Sequence, residues 1–380
     1  MKRNQVVSQN KLDYIDSLRG IAILLVILVH TSQSVSGLSK ISSFVTRYGQ
    51  MGVQLFFILS AFTLSLSFDK KMDERGALLF FYIRRYFRIA PMYYMGILIY
   101  FIFNTCITPE NPGTAISNPY HLKNILANIF FVHGFYSPAN NNIVPGGWSI
   151  GTEMAFYAIF PFIFLAVKKL VRNITAILLM PLISLFLAWI IFTFIFKIPI
   201  VENNTFWYFN LLNQLPVFSL GISYYFFDKL PVKDENKFKY LYLLAFGLST
   251  VLVDLLLVKN ITFTIVPFLS GIAFIFLIRF FKYYNAFSIG VLRRIGQLSF
   301  SMYILHFLFA WYLAPLMVHL VSSNLMPEIQ LPLFLIITIF STFLLALFTE
   351  RTIEKKGIEL GRQIILKIKI RGERNGLAGT

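Results

Sequence analysis

Apolar residues fall in long blocks along this chain, and short basic or turn-rich segments separate them. Ten blocks are each long enough to cross a hydrocarbon core of about 30 Å. They run roughly over residues 17–36, 50–68, 89–106, 148–167, 174–196, 206–227, 240–258, 261–280, 298–320 and 331–349. A further apolar stretch, HLKNILANIFFVHGF over 121–135, is too short to span and reads as a re-entrant or interfacial helix. The predicted fold class is all-α, a polytopic membrane bundle of about ten transmembrane helices.

Charge orients the bundle. With the N-terminus inside, 28 Lys and Arg residues fall on inner segments and five on outer ones, and Arg19 stands within the first block. That asymmetry predicts an even number of spans with both termini cytoplasmic. The longest outer stretch, about 107–147, holds ITPENPGTAISNPY and SPANNNIVPGG, turn-rich sequences expected to form an extracytoplasmic cap. Residues 1–355 then form the transmembrane domain, and 356–380 a basic cytoplasmic tail on the inner leaflet. The first block follows a basic segment, lacks a small-residue cleavage site and precedes more spans, so it is expected to stay as an anchor.

Composition narrows the class. Of 380 residues, 57% are hydrophobic and only 13% charged, against about a quarter charged in a soluble domain. The net charge of +17 does not indicate a nucleic-acid partner, because the basic residues flank apolar blocks. The single cysteine, Cys106, excludes an internal disulfide and a cysteine metal cluster. No H-x-x-x-D pair, glycine-rich phosphate loop or metal-ligand spacing is present, so neither a metal nor a resident cofactor is expected.

Ionisable groups inside spans are costly and usually functional. In IDSLRGIAILLVILVHTS, Arg19 and His30 lie 11 residues apart, three helical turns and roughly 16 Å along one face. An arginine near the inner mouth suits an entering anion, and a histidine deeper in the membrane suits general-base work near neutral pH. In FYIRRYFRIAPMYY, Arg85 and Arg88 share a face before Pro91, which is expected to kink or start the third span. Their guanidinium forks match phosphate. In GGWSIGTEMAFYAIFPF, Glu153 lies just inside the outer end of a span, with Ser149 and Tyr157 extending a polar stripe, and is expected to pair with His30. In GQLSFSMYILHF, Ser299, Tyr303 and His306 line one face, and His306 is expected to bind donor or orient a partner. His121, His133 and His319 are expected to be structural. Each group also has a plainer explanation, as positive-inside flank, snorkelling arginine or satisfied helix contact.

These four blocks, in this order, resemble the acyltransferase 3 family of membrane acyltransferases over about residues 12–355. LDYIDSLRGIAILLVILVH is similar to the family's opening Arg-x10-His segment, matched by Arg19 and His30. GVQLFFILSAFTLS resembles its G-V-D-L-F-F-V-L-S-G-F stretch, and Arg85 and Arg88 match its Arg-x-x-Arg feature. WSIGTEMAFYAIFP resembles W-S-L-S-V-E-x-x-F-Y, and SFSMYILH resembles S-Y-S-L-Y-L-x-H. Gln54, Ala61, Gly151 and Met154 depart from the usual residues.

The resemblance implies O-acylation of a carbohydrate such as O-antigen or exopolysaccharide, commonly with acetyl from acetyl-CoA, at a bacterial cytoplasmic (inner) membrane. It assigns His30 and Glu153 to catalysis; Arg19, Arg85, Arg88 and His306 to the donor; and Ser149 and Tyr303 to support. The expected partners are acyl-CoA as co-substrate, a lipid-linked or surface glycan, and membrane lipids. Some members carry a fused SGNH hydrolase-like domain, which is not expected here. Two other classes fit a polytopic chain with buried charges: a transporter or flippase of an anionic or acylated lipid-linked substrate, and a sensor or scaffold. The first would show paired halves, and no internal repeat is seen.

Overall fold

The computed structural model describes residues 13–107, 119–171, 173–198, 200–230, 235–258, 265–284, 290–313, 316 and 325–377. Among these residues the chain is all-helical, without a strand. The first half contains α1 (Asp13–Ser32), α2 (Lys40–Tyr48), α3 (Gly52–Asp69), α4 (Ala77–Ile102), α5 (Leu122–Ile129) and α6 (Gly147–Leu170). The second half contains α7 (Ile174–Ile190), α8 (Phe206–Phe209), α9 (Leu211–Phe227), α10 (Lys239–Val258), α11 (Ile265–Tyr283), α12 (Gly290–Gln297), α13 (Ser299–Phe307), α14 (Pro327–Thr349) and α15 (Lys355–Leu377).

Eight helical stretches among the described residues are long and apolar enough to cross a membrane. Two of the ten expected spans are shorter. Block 206–227 breaks at Asn210, whose extended backbone and side chain cap the next helix by accepting from the Leu212 amide. Block 298–320 is described as an apolar helix over Ser299–Leu313, and most of its remainder, with His319, lies outside the described residues. So does most of ITPENPGTAISNPY. The 121–135 stretch holds only the eight-residue α5 followed by a short turn, well under a membrane width.

The third span is where the helix departs most from the hydropathy blocks. It starts at Ala77, after Gly76 in a left-handed turn (φ 80°), and runs unbroken through Pro91. Arginine is a good helix former and its long stem covers apolar surface, so Arg85 and Arg88 lie within α4 instead of flanking it. Pro91 packs where Gly357 of α15 leaves room; a Cβ there would meet the Pro91 ring at 2.5 Å. Helix α15 runs back along α4 from this point to an exposed ion pair, Lys369 Nζ to Glu74 Oε2 at 2.9 Å. That bond holds the Glu74 carboxyl below its usual range. A widened turn over Glu350–Glu354 joins α14 to α15.

Helix α1 lies at the centre. Leu18, Ala22, Ile23 and Ile27 are fully buried, and it packs against α3, α12, α13 and α14. Aromatic rings fill the layer between α3, α6 and α9, with Phe218 stacked on Phe57 at 4.5 Å and on Phe156 at 3.9 Å. The peripheral α7 and α10 expose large apolar side chains such as Leu182, Phe186, Leu244 and Leu248, as a helix facing lipid does.

Candidate active site

Two polar cavities open inside this apolar bundle. The first is lined by Arg19 from α1, Ser60 and Thr63 from α3, Arg85 and Arg88 from α4, and Glu153 and Tyr157 from α6. Arg19 is tethered on both sides: Nη1 pairs with Asp16 one turn earlier at 3.1 Å, and Nη2 donates to Thr63 Oγ1 at 3.3 Å. Arg85 is not tethered in this way. Its guanidinium lies 5.9 Å from the Phe81 ring and 6.0 Å from the Tyr157 ring, and its buried Nε has no hydrogen-bond partner among the described residues. Neither Arg85 nor Arg88 has a carboxylate within ion-pair distance among those residues. Two cations on a cavity wall with no directly paired carboxylate, and with Glu153 as the one acid on that wall, leave positive charge in excess and so provide a place for an anion.

Glu153 lies beside them with both its partners found. Tyr157 OH and Ser60 Oγ donate to Oε1 at 2.5 and 2.6 Å, and these two hydroxyls are 3.2 Å apart. The structure therefore gathers Arg19, Arg85, Arg88 and Glu153 at one cavity and does not bring Glu153 to His30.

His30 lines a second cavity of about 230 Å³, with Gln33, Gln50, Asn141, Trp148, Asn204 and Trp311 among its walls. Its ring lies 4.4 Å from Phe307, 5.9 Å from Trp311 and 5.4 Å from the His306 ring, centroid to centroid. Gln33 approaches His30 Nδ1 at 3.5 Å and accepts from the Trp311 indole at 3.2 Å. His306, expected to bind donor or orient a partner, is fully buried beside His30. Its Nδ1 lies 2.8 Å from the Tyr303 carbonyl, which fixes the proton on that nitrogen; Nε2 has no partner among the described residues. Every described group on this wall other than His30 is uncharged.

Tyr303 and Val53 line both cavities. Tyr303 OH accepts from Ser149 Oγ at 2.8 Å and donates to the Gly146 carbonyl at 3.1 Å. Gly146 caps α6 at φ 73°, and a Cβ there would meet the Tyr303 hydroxyl at 3.0 Å and the Phe307 ring at 2.9 Å. Only glycine meets both conditions. The 119–146 segment holds this corner in place. Buried His133 lies 2.9 Å from the Gly147 carbonyl through Nε2 and stacks on Tyr93, whose hydroxyl donates to Asn128 at 2.6 Å. His133 also explains one departure from the family pattern, since a Cβ at Gly151 would lie 2.7 Å from His133 Nε2. Gln54, another departure, is fully buried and donates to Gln214 at 3.2 Å, a neutral amide pair where the family often has an acid.

Ser60, Thr63, Gln33 and Trp311 are not singled out by the sequence pattern. The one signal it offers is Ser60 and Thr63 three apart, hence on one face of an otherwise apolar span.

The profile of the family described as Acyltransferase domain, acyltransferase 3, matches residues 12–351. The peptidoglycan O-acetyltransferase OatA of Listeria monocytogenes is 27% identical over 217 residues, covering 55% of this chain and 33% of that protein. The chain thus matches about a third of the length of this curated relative. No solved structure matches the chain.

Proposed function

Because the chain belongs to the acyltransferase 3 family and is a multi-pass membrane protein by its apolar helices, we propose that it transfers an acetyl group from cytoplasmic acyl-CoA to a hydroxyl of a cell-envelope carbohydrate. The observation that carries this reading is the pairing of an anion-ready arginine cavity with a separate, histidine-bearing cavity along one central helix. With the N-terminus in the cytoplasm, as the Lys and Arg distribution favours, the arginines stand at the inner mouth of a bacterial inner membrane. Arg85 and Arg88 bind the donor's phosphates, with Arg19 beside them, and the narrow thioester arm extends toward His30.

The chemistry then needs one base. The imidazole of His30 takes the proton of the acceptor hydroxyl as its oxygen attacks the thioester carbonyl. The C–S bond breaks, and the imidazolium returns the proton to the departing thiolate. His306, its Nδ1 bonded to the Tyr303 carbonyl, holds its ring against the His30 ring. Glu153 holds Ser60 and Tyr157 under Arg85 and so shapes the donor wall. The acceptor chamber, with amides and indoles and no fixed charge on its described walls, suits sugar hydroxyls and the apolar faces of sugar rings. Glycans of the O-antigen and exopolysaccharide type fit this reading, as does the peptidoglycan on which the Listeria relative is named to act.

The test is transfer of labelled acetyl from acetyl-CoA to envelope glycans by the purified protein in detergent. Label on the glycan hydroxyls is the expected result. Its absence across peptidoglycan, O-antigen and exopolysaccharide acceptors, with the protein folded, would overturn the reading.

A further inference from the structure

We propose that Tyr303 is a movable septum between the two cavities, latched shut by Ser149 and Gly146, and that the acyl-bearing arm must displace it to reach His30. The inference rests on the acetyl-transfer reading for its purpose but on geometry for its existence.

The two cavities have two wall residues in common, Tyr303 and Val53. The phenol ring of Tyr303 is the larger of the two shared side chains. Phe56 meets it edge-on at 6.2 Å, and the buried branched side chain of Val53 completes the partition. Both anchors of the hydroxyl lie at the start of α6, Ser149 Oγ at 2.8 Å and the Gly146 carbonyl at 3.1 Å. They fix the hydroxyl end of a ring that is otherwise held by core packing against Phe56 and His306. A rotation about the Tyr303 side-chain torsions breaks both together and leaves the backbone of α13 in place.

A partition of this kind answers a physical requirement. An unbroken polar path from one face to the other would bring water from the acceptor side to a thioester held at the arginines, and would conduct ions. A closed ring keeps the donor dry until the arm itself wedges the wall open. Ser149 then acts as a positioning residue, because it sets how readily the septum yields. Loss of the two hydrogen bonds shifts the open–closed balance by roughly tenfold or more.

Accessibility tests this apart from turnover. Cys106, the sole cysteine, is exposed and is first replaced with serine. A Ser60→Cys variant then reports on the arginine cavity, and an Asn141→Cys variant on the histidine cavity. A small anionic methanethiosulfonate is applied to intact cells from outside. The Asn141→Cys thiol should react in every background. The Ser60→Cys thiol should react slowly with Tyr303 present and about tenfold faster with Tyr303→Phe, which keeps the ring but loses its latch. It should react faster still with Val53→Ala, which thins the partition without touching Tyr303. Equal rates for the Ser60→Cys thiol in all three backgrounds overturn the septum. Parallel membranes that keep Ser60 and Asn141 are assayed for acetyl transfer and for acetyl-CoA hydrolysis without acceptor, which should rise in Tyr303→Phe. Unchanged labelling alongside normal acetyl transfer sinks the septum alone. Changed labelling alongside no transfer to any glycan supports the septum and sinks the acetyl-transfer reading.

Discussion

The arginine cavity and the histidine cavity share a wall and little else. One gathers three guanidinium groups around a carboxylate that is already held by two hydroxyls. The other sets an imidazole among amides and indoles with no fixed charge on its described walls. Under the proposed reading, the difference follows what each would have to do. Retaining a polyanion requires permanent positive charge, and a guanidinium stays protonated at any physiological pH. Moving a proton requires a group that gains and loses it readily, and a neighbouring cation or carboxylate would bias that exchange. Keeping the two apart lets each operate without disturbing the other's ionisation, and the central helix α1 contributes Arg19 to one and His30 to the other.

The sharpest way to break this division is at His30. In His30→Ala, acetyl transfer should fall by about 10²- to 10⁴-fold, the range a positioned general base supplies. Binding of acetyl-CoA should stay within about twofold, since no arginine contact is lost. Labelled transfer and equilibrium donor binding on the same preparation check both halves. Retained transfer would remove His30 from the chemistry. Lost donor binding would join the two chambers into one functional unit.

The opposite pattern is expected at Arg85. Arg85→Ala removes a charge-assisted contact worth about 1.5–3 kcal/mol, so the KM for acetyl-CoA should rise roughly 10- to 150-fold with kcat little changed at saturating donor. Initial rates over a donor titration decide it. A fall in kcat alone would place Arg85 at the reacting atoms and contradict its position on the cavity wall.

How much of this is legible in the sequence depends on residue chemistry. Arg19 and His30 stand out because ionisable groups within an apolar block have few innocent explanations. Arg85 and Arg88 read as a span's flank, since hydropathy marks where apolar residues begin and says nothing of a helix starting twelve residues earlier at Ala77. Ser60 and Thr63 carry almost no signal. Hydroxyls in spans usually satisfy themselves on their own helix, as Thr63 does on the Leu59 carbonyl at 2.8 Å, and only packing shows the second bond to Arg19. His306 is placed by its motif but not by its neighbours: contact with His30 depends on how α13 rotates against α1, which no local pattern fixes. Gln54 and Gly151 look like losses from a family pattern until their buried partners, Gln214 and His133, are seen.

Glu153 offers the finest test, because the sequence pattern gives it a catalytic place and the structure gives it a wall. Glu153→Gln keeps an oxygen at Oε1, so Ser60 and Tyr157 can still donate to it. Only the negative charge beside the arginines is lost. If Glu153 shapes the donor chamber, kcat should fall by less than about fivefold, and the KM for an anionic donor should drop slightly, because a repulsive carboxylate has gone. If it orients or charges His30, kcat should instead collapse toward the His30→Ala level while KM holds. The direction in which KM moves therefore separates the roles even where the size of the effect is small, and it does so at a residue that either chamber could claim.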